Sequence, residues 1–184
     1  MRIVGGKYKG RVLCGFEKIG VRPTSDMARE SLFNILQFKI NGAKFLDLFS
    51  GTGAVGIEAL SRGAERVVFN DSSRESIKLI NANLQKINAT GENYSVSLSD
   101  GVSYLQRAKI TGESFDFIYI DPPYQSNLVS EVLPHLSGAL SNSGVAIIEG
   151  ETPFDERILT DESLFVYDKR RYGRAHLAFI KRKN

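Results

Sequence analysis

The chain has 184 residues, 42% hydrophobic and 24% charged, with a formal net charge of +3, values typical of one globular domain with a substantial core. Its apolar runs are too short to span a bilayer, its first residues lack the apolar core of a secretory signal, and Cys14 as the lone cysteine excludes an internal disulfide. The sequence therefore predicts a cytoplasmic protein, and two histidines beside one cysteine predict no metal site.

The first 40 residues are predicted to form an extension made of a hairpin, a loop and a helix. Residues 1–15 alternate apolar and basic side chains among glycines, which predicts a short hairpin. Residues 22–26 have the composition of a loop that ends in helix-capping residues, so a helix is expected directly after them. The buried side of this helix is predicted to carry Leu32, Phe33, Ile35 and Leu36.

Residues 41–184 are predicted to form the catalytic core of a single domain that spans residues 1–184. Strands are predicted at 44–49, 66–70, 94–98, 115–120, 145–149, 164–168 and 175–181. Helices are predicted at 53–62, 73–88, 101–108, 127–140 and 155–160. Strands that alternate with helices through short loops predict a mostly parallel α/β sheet with helices on both faces. Only residues 169–174 separate the last two strands, which is too short for a parallel crossover, so an antiparallel hairpin is expected there.

The first predicted strand continues into a glycine-rich loop and the start of a helix. Gly51, Gly53 and Gly56 match the G-x-G-x-x-G fingerprint of dinucleotide-binding proteins, and Asp71 lies near the position of a ribose-binding acid. A nicotinamide-dependent oxidoreductase is therefore one interpretation. Against it, the carboxylate of Asp47 at the strand end would repel a pyrophosphate, whereas it suits a positively charged methionine moiety. The sequence also offers no obvious residue for hydride transfer.

Asp121, Pro122, Pro123 and Tyr124 directly follow the apolar run 115–120 and are the predicted catalytic residues. The two prolines stiffen the strand end and remove backbone N–H donors, so the backbone there offers carbonyl acceptors. An exocyclic amine on a planar base could donate its hydrogens to Asp121 and to the Pro122 carbonyl, while the base stacks on Tyr124. A rigid turn with a surface tyrosine is the alternative interpretation of this motif.

Aspartates recur at the ends of successive predicted strands. They are Asp47, Asp71, Asp100 and Asp121. Because the carboxyl ends of parallel strands face one crevice, these side chains are expected to line a single ligand site. S-adenosylmethionine suits such a site: its ribose hydroxyls match Asp71, its adenine amine matches Asp100, and its cationic groups match the ends that hold Asp47 and Asp121. Each aspartate alone could instead cap a helix, above all Asp100 before Gly101.

Basic side chains concentrate at both ends of the chain. Residues 1–22 hold six basic residues and one acidic residue, and residues 167–184 hold seven and one, so the body between them is acidic. Interleaved tyrosines favour nucleic-acid binding over simple solubilising ends, because phosphates attract the cations and bases stack on the rings. RNA contacts are predicted at Arg2, Lys7, Lys9, Arg11, Arg170, Arg171, Tyr172 and Arg174.

Four segments resemble the bacterial 16S rRNA guanine-N2-methyltransferases, a family of class I S-adenosylmethionine-dependent enzymes. The segments are residues 1–11, 22–26 with 29–34, 46–64 and 121–124. The resemblance implies a Rossmann-like fold with a seven-stranded sheet whose last strand is antiparallel, S-adenosylmethionine as cofactor, and 16S rRNA as partner, naked or within an assembling small subunit. A monomer is expected. The implied cofactor-binding residues are Arg22, Thr24, Asp47, Phe49, Gly51, Gly53, Asp71, Ser72, Asp100 and Gly101.

The predicted function is methyl transfer from S-adenosylmethionine to the N2 amine of a guanosine in small-subunit rRNA. One alternative is an N6-adenine DNA or protein-glutamine methyltransferase, since those enzymes share an Asn/Asp-Pro-Pro-Tyr strand end. Asp rather than Asn at position 121, together with the segment Arg22-Pro23-Thr24, favours guanine. Another alternative is a non-catalytic RNA-binding module that uses only the basic ends. Residues 151–165 carry no diagnostic signal for any of these functions.

Overall fold

The structure is a computed structural model that describes residues 1–15, 26–123 and 127–183. Its helices are α1 (Asp26–Leu36), α2 (Ala54–Ser61), α3 (Arg74–Lys86), α4 (Gly101–Thr111) and α5 (Leu128–Val132). Its strands are β1 (Lys44–Asp47), β2 (Arg66–Asp71), β3 (Tyr94–Leu98), β4 (Phe115–Ile120), β5 (Leu140–Gly150), β6 (Leu164–Tyr172) and β7 (Ala175–Arg182). None of the helices in these ranges is long and apolar enough to cross a membrane.

The strands of the described residues form one seven-stranded sheet in the order β3-β2-β1-β4-β5-β7-β6. Strands β1 to β5 pair in parallel, whereas β7 runs antiparallel to both of its neighbours, β5 and β6. The prediction of a mostly parallel sheet with an antiparallel last strand and a terminal hairpin is confirmed. The residues that close the hairpin are too few to cross over the sheet, so β7 returns beside β6.

Helices cover both faces of the sheet, as predicted. Successive side chains of the central strands point to opposite sides of the sheet, so apolar side chains on both faces are buried under helices. On one face, Phe45 and Phe69 pack against α1, α2 and α3. On the other face, Leu46 and Val68 pack against α4 and the segment that contains α5. The central strands are therefore apolar at nearly every position, and polar side chains are found where these strands end.

The structure departs from the predicted elements in the helix before β5. The expected helix over 127–140 is only α5 followed by a 3-10 turn, Leu133–His135. Pro134 lies inside this turn and has no N–H to continue an α-helix, so the chain leaves the helical conformation early. Strand β5 then begins at Leu140 instead of Val145. The predicted helix over 155–160 is likewise a single 3-10 turn, Glu156–Ile158.

Helix α1 buries a different stripe from the one predicted. Leu32, Phe33 and Leu36 are buried as expected, but Ile35 is 38% exposed. The buried stripe also includes Arg29, one turn before Leu32 and Phe33, and this shift of the stripe moves Ile35 to its rim.

The N-terminal hairpin is present as a turn with one bridge pair, Arg2 with Val12, instead of two regular strands. It docks on the C-terminal end of α2, where Ser61 accepts hydrogen bonds from the backbone N–H of Lys7 through its carbonyl at 2.7 Å and of Tyr8 through Oγ at 2.9 Å. A Cβ at Gly6 would lie 1.8 Å from the Ser61 carbonyl oxygen, so a glycine is required at this contact.

A buried ionic cluster joins this hairpin to α1 and α2. Glu58 of α2 accepts hydrogen bonds from the Val4 N–H at 2.9 Å and from Arg62 Nε at 2.8 Å. The Nε of Arg29 lies 3.7 Å from the Glu58 carboxylate, and both side chains are almost fully buried. Arg29 Nη2 also donates to the Arg2 carbonyl at 2.5 Å. The cluster therefore fixes the extension against the core.

Candidate active site

The predicted aspartates lie along one edge of the sheet, at the carboxyl ends of four neighbouring strands. Following the strand order, they occur as Asp100 just after β3, Asp71 at the end of β2, Asp47 at the end of β1 and Asp121 just after β4. The chain crosses from β1 outward to β2 and β3 and then returns to β4 on the other side of β1. The crevice between β1 and β4 is therefore the topological switch point, where open α/β sheets bind ligands.

The glycine loop is shaped by the two inner carboxylates. Asp47 is 1% exposed, and its Oδ2 accepts the Gly56 N–H at 2.9 Å, below the first turn of α2. Asp71 accepts the Gly51 N–H at 2.8 Å through Oδ2 and the Ser73 N–H at 2.8 Å through Oδ1. The two aspartates therefore fix the backbone of the glycine loop at the carboxyl ends of β1 and β2, where Asp47 is buried and Asp71 is half-buried.

Glycines are needed in this loop for two reasons. Gly51 and Gly53 have φ angles of 52° and 77°, which L side chains rarely adopt. At Gly56 a Cβ would lie 2.3 Å from the Phe69 ring of β2, so this glycine lets α2 lie directly on the sheet. The first two glycines of the fingerprint are therefore required by the turn, and the third is required by the packing of α2 on the sheet.

Burial raises the pKa of Asp47 to about 7, the negative charge of Asp71 adds to this shift, and the hydrogen bond from Gly56 opposes it. Asp100 behaves differently, since it is exposed at the start of α4 and accepts the Ser103 N–H at 2.8 Å. The hydrogen bonds from Ser103 hold the pKa of Asp100 below its usual value. Of Asp47 and Asp100, Asp47 is thus the one that can gain a proton near neutral pH.

The remaining predicted cofactor residues line the same edge. Phe49 is half-buried, and a Cβ at Gly101 would lie 2.9 Å from its ring, so the loop after β1 and the start of α4 are in contact there. Ser72 is exposed next to Asp71. Arg22 and Thr24 lie outside the described residues, and their predicted roles stay predictions.

Asn70 was not predicted, although it connects three strand ends. Its side chain is buried, and Nδ2 donates to the Leu48 carbonyl at 3.1 Å and to the Ser99 carbonyl at 3.0 Å. Its Oδ1 is buried without a hydrogen-bond partner in the described part of the chain. In the sequence, this residue could have been recognised only as a single amide side chain at the end of the apolar run of β2.

The end of β4 carries the predicted acceptor site. Asp121 is half-buried, Pro122 is buried and Pro123 is exposed. Tyr124 lies outside the described residues, so its stacking role stays a prediction. Across the described ranges, no group of three or more His, Cys, Asp or Glu side chains is arranged to hold a metal ion.

The C-terminal basic residues lie at the same edge as the aspartates. Gly150, at the end of β5, pairs with His176, so the β6–β7 turn projects beside the crevice. Arg170, Arg171 and Arg174 are exposed around this turn and Tyr172 is half-buried. Arg170 Nε pairs with Asp168 at 2.9 Å, and Arg171 Nε donates to the Gly173 carbonyl at 3.1 Å.

Three of the N-terminal basic residues, Lys7, Lys9 and Arg11, lie elsewhere, at the C-terminal ends of α2 and α3. The Lys7 and Arg11 side chains flank the Tyr8 ring, at 4.8 and 5.2 Å from its centroid. Arg11 also donates to the carbonyl of Ile87, which ends α3. Because these helices run back from the site, this patch is at the opposite edge of the sheet from the crevice. Lys9 is exposed at this turn. Arg2 is exposed at the other end of the hairpin, next to Met1, whose Sδ lies 3.9 Å from the Thr52 hydroxyl of the glycine loop.

Comparison with known sequences places the chain in a family. A family profile described as conserved hypothetical protein 95 matches residues 1–181. The chain belongs to this family. A relative from Escherichia coli, named ribosomal RNA small subunit methyltransferase D, is 35% identical over 153 residues, which is 82% of this chain and 75% of the relative.

Solved structures share the fold of this chain. A Thermus thermophilus protein, TTHA0928, superposes with a TM-score of 0.81 and 28% identity, and the match covers 98% of this family member and 99% of that chain. A structure described as that of a methyltransferase complexed with SAH, SMU.776, superposes with a TM-score of 0.71 at 19% identity, and the match covers 83% of this chain and 49% of that chain. At that identity, the second match shows the shared methyltransferase fold alone.

Proposed function

We propose that this chain transfers a methyl group from S-adenosylmethionine to the N2 amine of a guanosine in small-subunit rRNA. The observation that carries the proposal is the Asp121-Pro122 end of β4, which lies across the switch point from the glycine loop on β1. The name of the Escherichia coli relative supports rRNA as the substrate. A strand end built from a carboxylate and proline carbonyls supports an exocyclic amine as the methyl acceptor.

The residues of the crevice fit S-adenosylmethionine. Its ribose hydroxyls and adenine amine are hydrogen-bond donors, and the edge offers carboxylates at Asp71 and Asp100 to accept them. The unpartnered Oδ1 of Asn70 adds a buried acceptor beside the ends of β1 and β3. Asp47 suits the positive charge of the methionine moiety because its ionised form gains from a neighbouring cation. When bound, S-adenosylmethionine supplies a methyl group activated on a sulfonium.

The strand end of β4 would prepare the amine for attack. The N2 lone pair of guanine is delocalised into the ring, so the amine is a poor nucleophile. Hydrogen bonds from N2 to the Asp121 carboxylate and the Pro122 carbonyl favour a pyramidal nitrogen whose lone pair is free. Holding reactants in line contributes about 7–11 kcal/mol in favourable cases. The methylated nitrogen then loses its extra proton, and the Asp121 carboxylate is the acceptor that the chain provides.

The proposal is tested by incubating the protein with tritiated S-adenosylmethionine and unmodified small-subunit rRNA, either naked or in particles. Label should enter the RNA, and mass spectrometry of the digested RNA should find N2-methylguanosine at one position. Label in N6-methyladenosine, or label in protein, would contradict the proposal. Calorimetry with NAD serves as the control for the dehydrogenase interpretation, and no binding is expected.

Affinity for S-adenosylmethionine is expected to rise with pH up to about 7, because a cationic ligand favours ionised Asp47. The pKa of this carboxyl is raised from 3.8 to about 7 in the folded protein, so between these values folding takes up a proton. The stability that this raised pKa contributes to the folded protein is fully present below pH 3.8 and is lost as pH rises through about 7. Ligand binding reverses this uptake, so the logarithm of the association constant should rise with a slope approaching one per pH unit below pH 7.

Calorimetry in buffers of different ionisation enthalpy measures this proton release directly. The Asp47→Asn variant is the matched control, because its amide oxygen can still accept the Gly56 N–H. Ionisation of the ligand itself is common to both proteins and cancels in the difference between them. Equal pH slopes for the two proteins would contradict the role of Asp47.

Arg171→Ala with Arg174→Ala is expected to weaken RNA binding, because both side chains are exposed at the β6–β7 turn beside the crevice. Loss of two phosphate contacts should make the slope of log K against log salt shallower by roughly 1.4 for single-stranded RNA. Filter binding over a range of salt concentrations measures it. Lys44→Ala removes an exposed cation at the opposite edge and should leave the slope unchanged. Equal slopes for the double variant and the wild type would exclude this turn from the RNA interface.

A further inference from the structure

A buried carboxyl that the proposed reaction does not use lies directly beside Asp121. Glu149 is on β5, and the last pair between β4 and β5 is Ile120 with Ile148, so Glu149 and Asp121, which comes just after β4, are the next residues along the two adjacent segments. Neighbouring strands lie about 4.8 Å apart, which brings the two residues within reach of one small planar ligand. Glu149 is only 6% exposed.

Tyr119 fixes the position of this carboxyl. Its hydroxyl donates to Glu149 Oε2 at 2.5 Å, and Tyr119 itself is 1% exposed. Both side chains lie on the face of the sheet that carries Phe117 and Ile147, and Asp121 continues the same alternation along β4. Because the Tyr119 hydroxyl binds Oε2, the other oxygen of this positioned carboxyl, Oε1, is the one that a ligand would approach.

Burying the carboxyl of Glu149 destabilises the fold, which suggests that this group is kept for a function. Removing a carboxylate from water destabilises its charged form, and burial raises the pKa of Glu149, while the hydrogen bond from Tyr119 opposes the shift. An apolar pair at positions 119 and 149 would pack into the same layer without that cost. The arrangement holds an acceptor at the edge of the sheet, next to the strand end that is proposed to hold the N2 amine.

We propose that Glu149, positioned by Tyr119, accepts the N1–H of the acceptor guanine and selects guanine over bases that lack this hydrogen. The inference rests on the proposed function and adds to it the group that reads the base. Guanine presents N1–H and the N2 amine side by side, and Asp121 and Glu149 present two acceptors on adjacent strands. Adenine has a lone pair at N1, which a carboxylate repels. Glu149 is thus the specificity-determining residue and Tyr119 is a positioning residue.

The test compares two RNA stem-loops that contain the methylated position, one with guanosine there and one with 2-aminopurine ribonucleoside. 2-Aminopurine keeps the N2 amine but has no N1–H, so the wild type should methylate it at least about 100-fold less efficiently in kcat/KM. The Glu149→Gln variant can donate its amide N–H to N1 of 2-aminopurine. Its preference for guanosine should therefore fall by about tenfold or more.

Tyr119→Phe is the matched control, because it leaves Glu149 in place and removes only the hydroxyl that positions it. This variant should lower kcat/KM on guanosine and keep the preference for guanosine over 2-aminopurine. Equal losses on both RNAs in Glu149→Gln, with an unchanged preference, would make Glu149 a structural residue and overturn the inference. A wild type that methylates both RNAs equally would overturn it without any variant. Absence of methyl transfer to guanosine RNA by the wild type, with intact S-adenosylmethionine binding, would instead refute the proposed function and the inference with it.

Discussion

Asp121→Ala is expected to lower kcat/KM for methyl transfer to rRNA by about 10²–10³-fold, a loss typical of removing one preorganised group that stabilises charge in the transition state. The carboxylate is the strongest acceptor at the end of β4, and positive charge develops on N2 as the methyl group arrives. Affinity for S-adenosylmethionine should fall by less than about tenfold, since Asp47 and Asp71 remain in place. Steady-state kinetics with tritiated cofactor, together with calorimetry, separates the two effects.

Two further variants sharpen this prediction. Asp121→Asn keeps an acceptor oxygen without the charge, so its activity should lie between those of the wild type and Asp121→Ala. Asp116→Ala removes a carboxylate from the same strand at the opposite edge, where Asp116 accepts the Lys44 N–H at 2.9 Å and the Ser141 hydroxyl at 3.0 Å. Its kcat/KM should stay within a few-fold of the wild type. If Asp121→Ala retained activity at that level, the Asp-Pro-Pro end would not be the acceptor site.

The convergence of the aspartates could be predicted because it follows from local patterns. Each strand is an apolar run that stops at a polar residue, and parallel strands share their carboxyl edge. The β6–β7 hairpin could also be predicted, because the connection between its strands is too short for a parallel crossover. Strand existence and topology therefore follow from the sequence wherever burial on both faces makes the apolar runs continuous.

The missed features depend on contacts between residues far apart in the chain. Glu149 reads as an ordinary strand-end glutamate until the sheet pairs β5 with β4 and brings the Tyr119 hydroxyl to it. Asn83 likewise receives the Cys14 N–H at 2.8 Å and donates to the Thr52 carbonyl at 2.9 Å, which ties the extension to the glycine loop. No local periodicity specifies such partners. The charge of the two basic ends was visible in the sequence, but the fold was needed to place the β6–β7 turn beside the crevice and Lys7, Lys9 and Arg11 at the other end of the strands.

Glu58→Gln is expected to lower the free energy of unfolding by about 3–5 kcal/mol, the cost typical of breaking a buried ion pair by removing one partner. Glutamine fills the same volume and its carbonyl oxygen can still accept the Val4 N–H, but its NH2 group cannot accept from Arg62 Nε, so the loss combines the charge with that hydrogen bond. Arg29 would keep a buried guanidinium 3.7 Å from a neutral amide. Urea unfolding should show a lower midpoint with an unchanged m-value.

The exposed pair of Asp155 and Arg157 provides the matched control. Their side chains also meet at 2.6 Å, but the Arg157 side chain is 89% exposed, so solvent screens the interaction. Asp155→Asn should leave the urea midpoint unchanged within error. Glu58→Gln combined with Arg29→Met removes both buried charges, so the double variant should lose less stability than the sum of the single variants. Strict additivity, or an unchanged midpoint in Glu58→Gln, would show that the cluster does not hold the extension to the core.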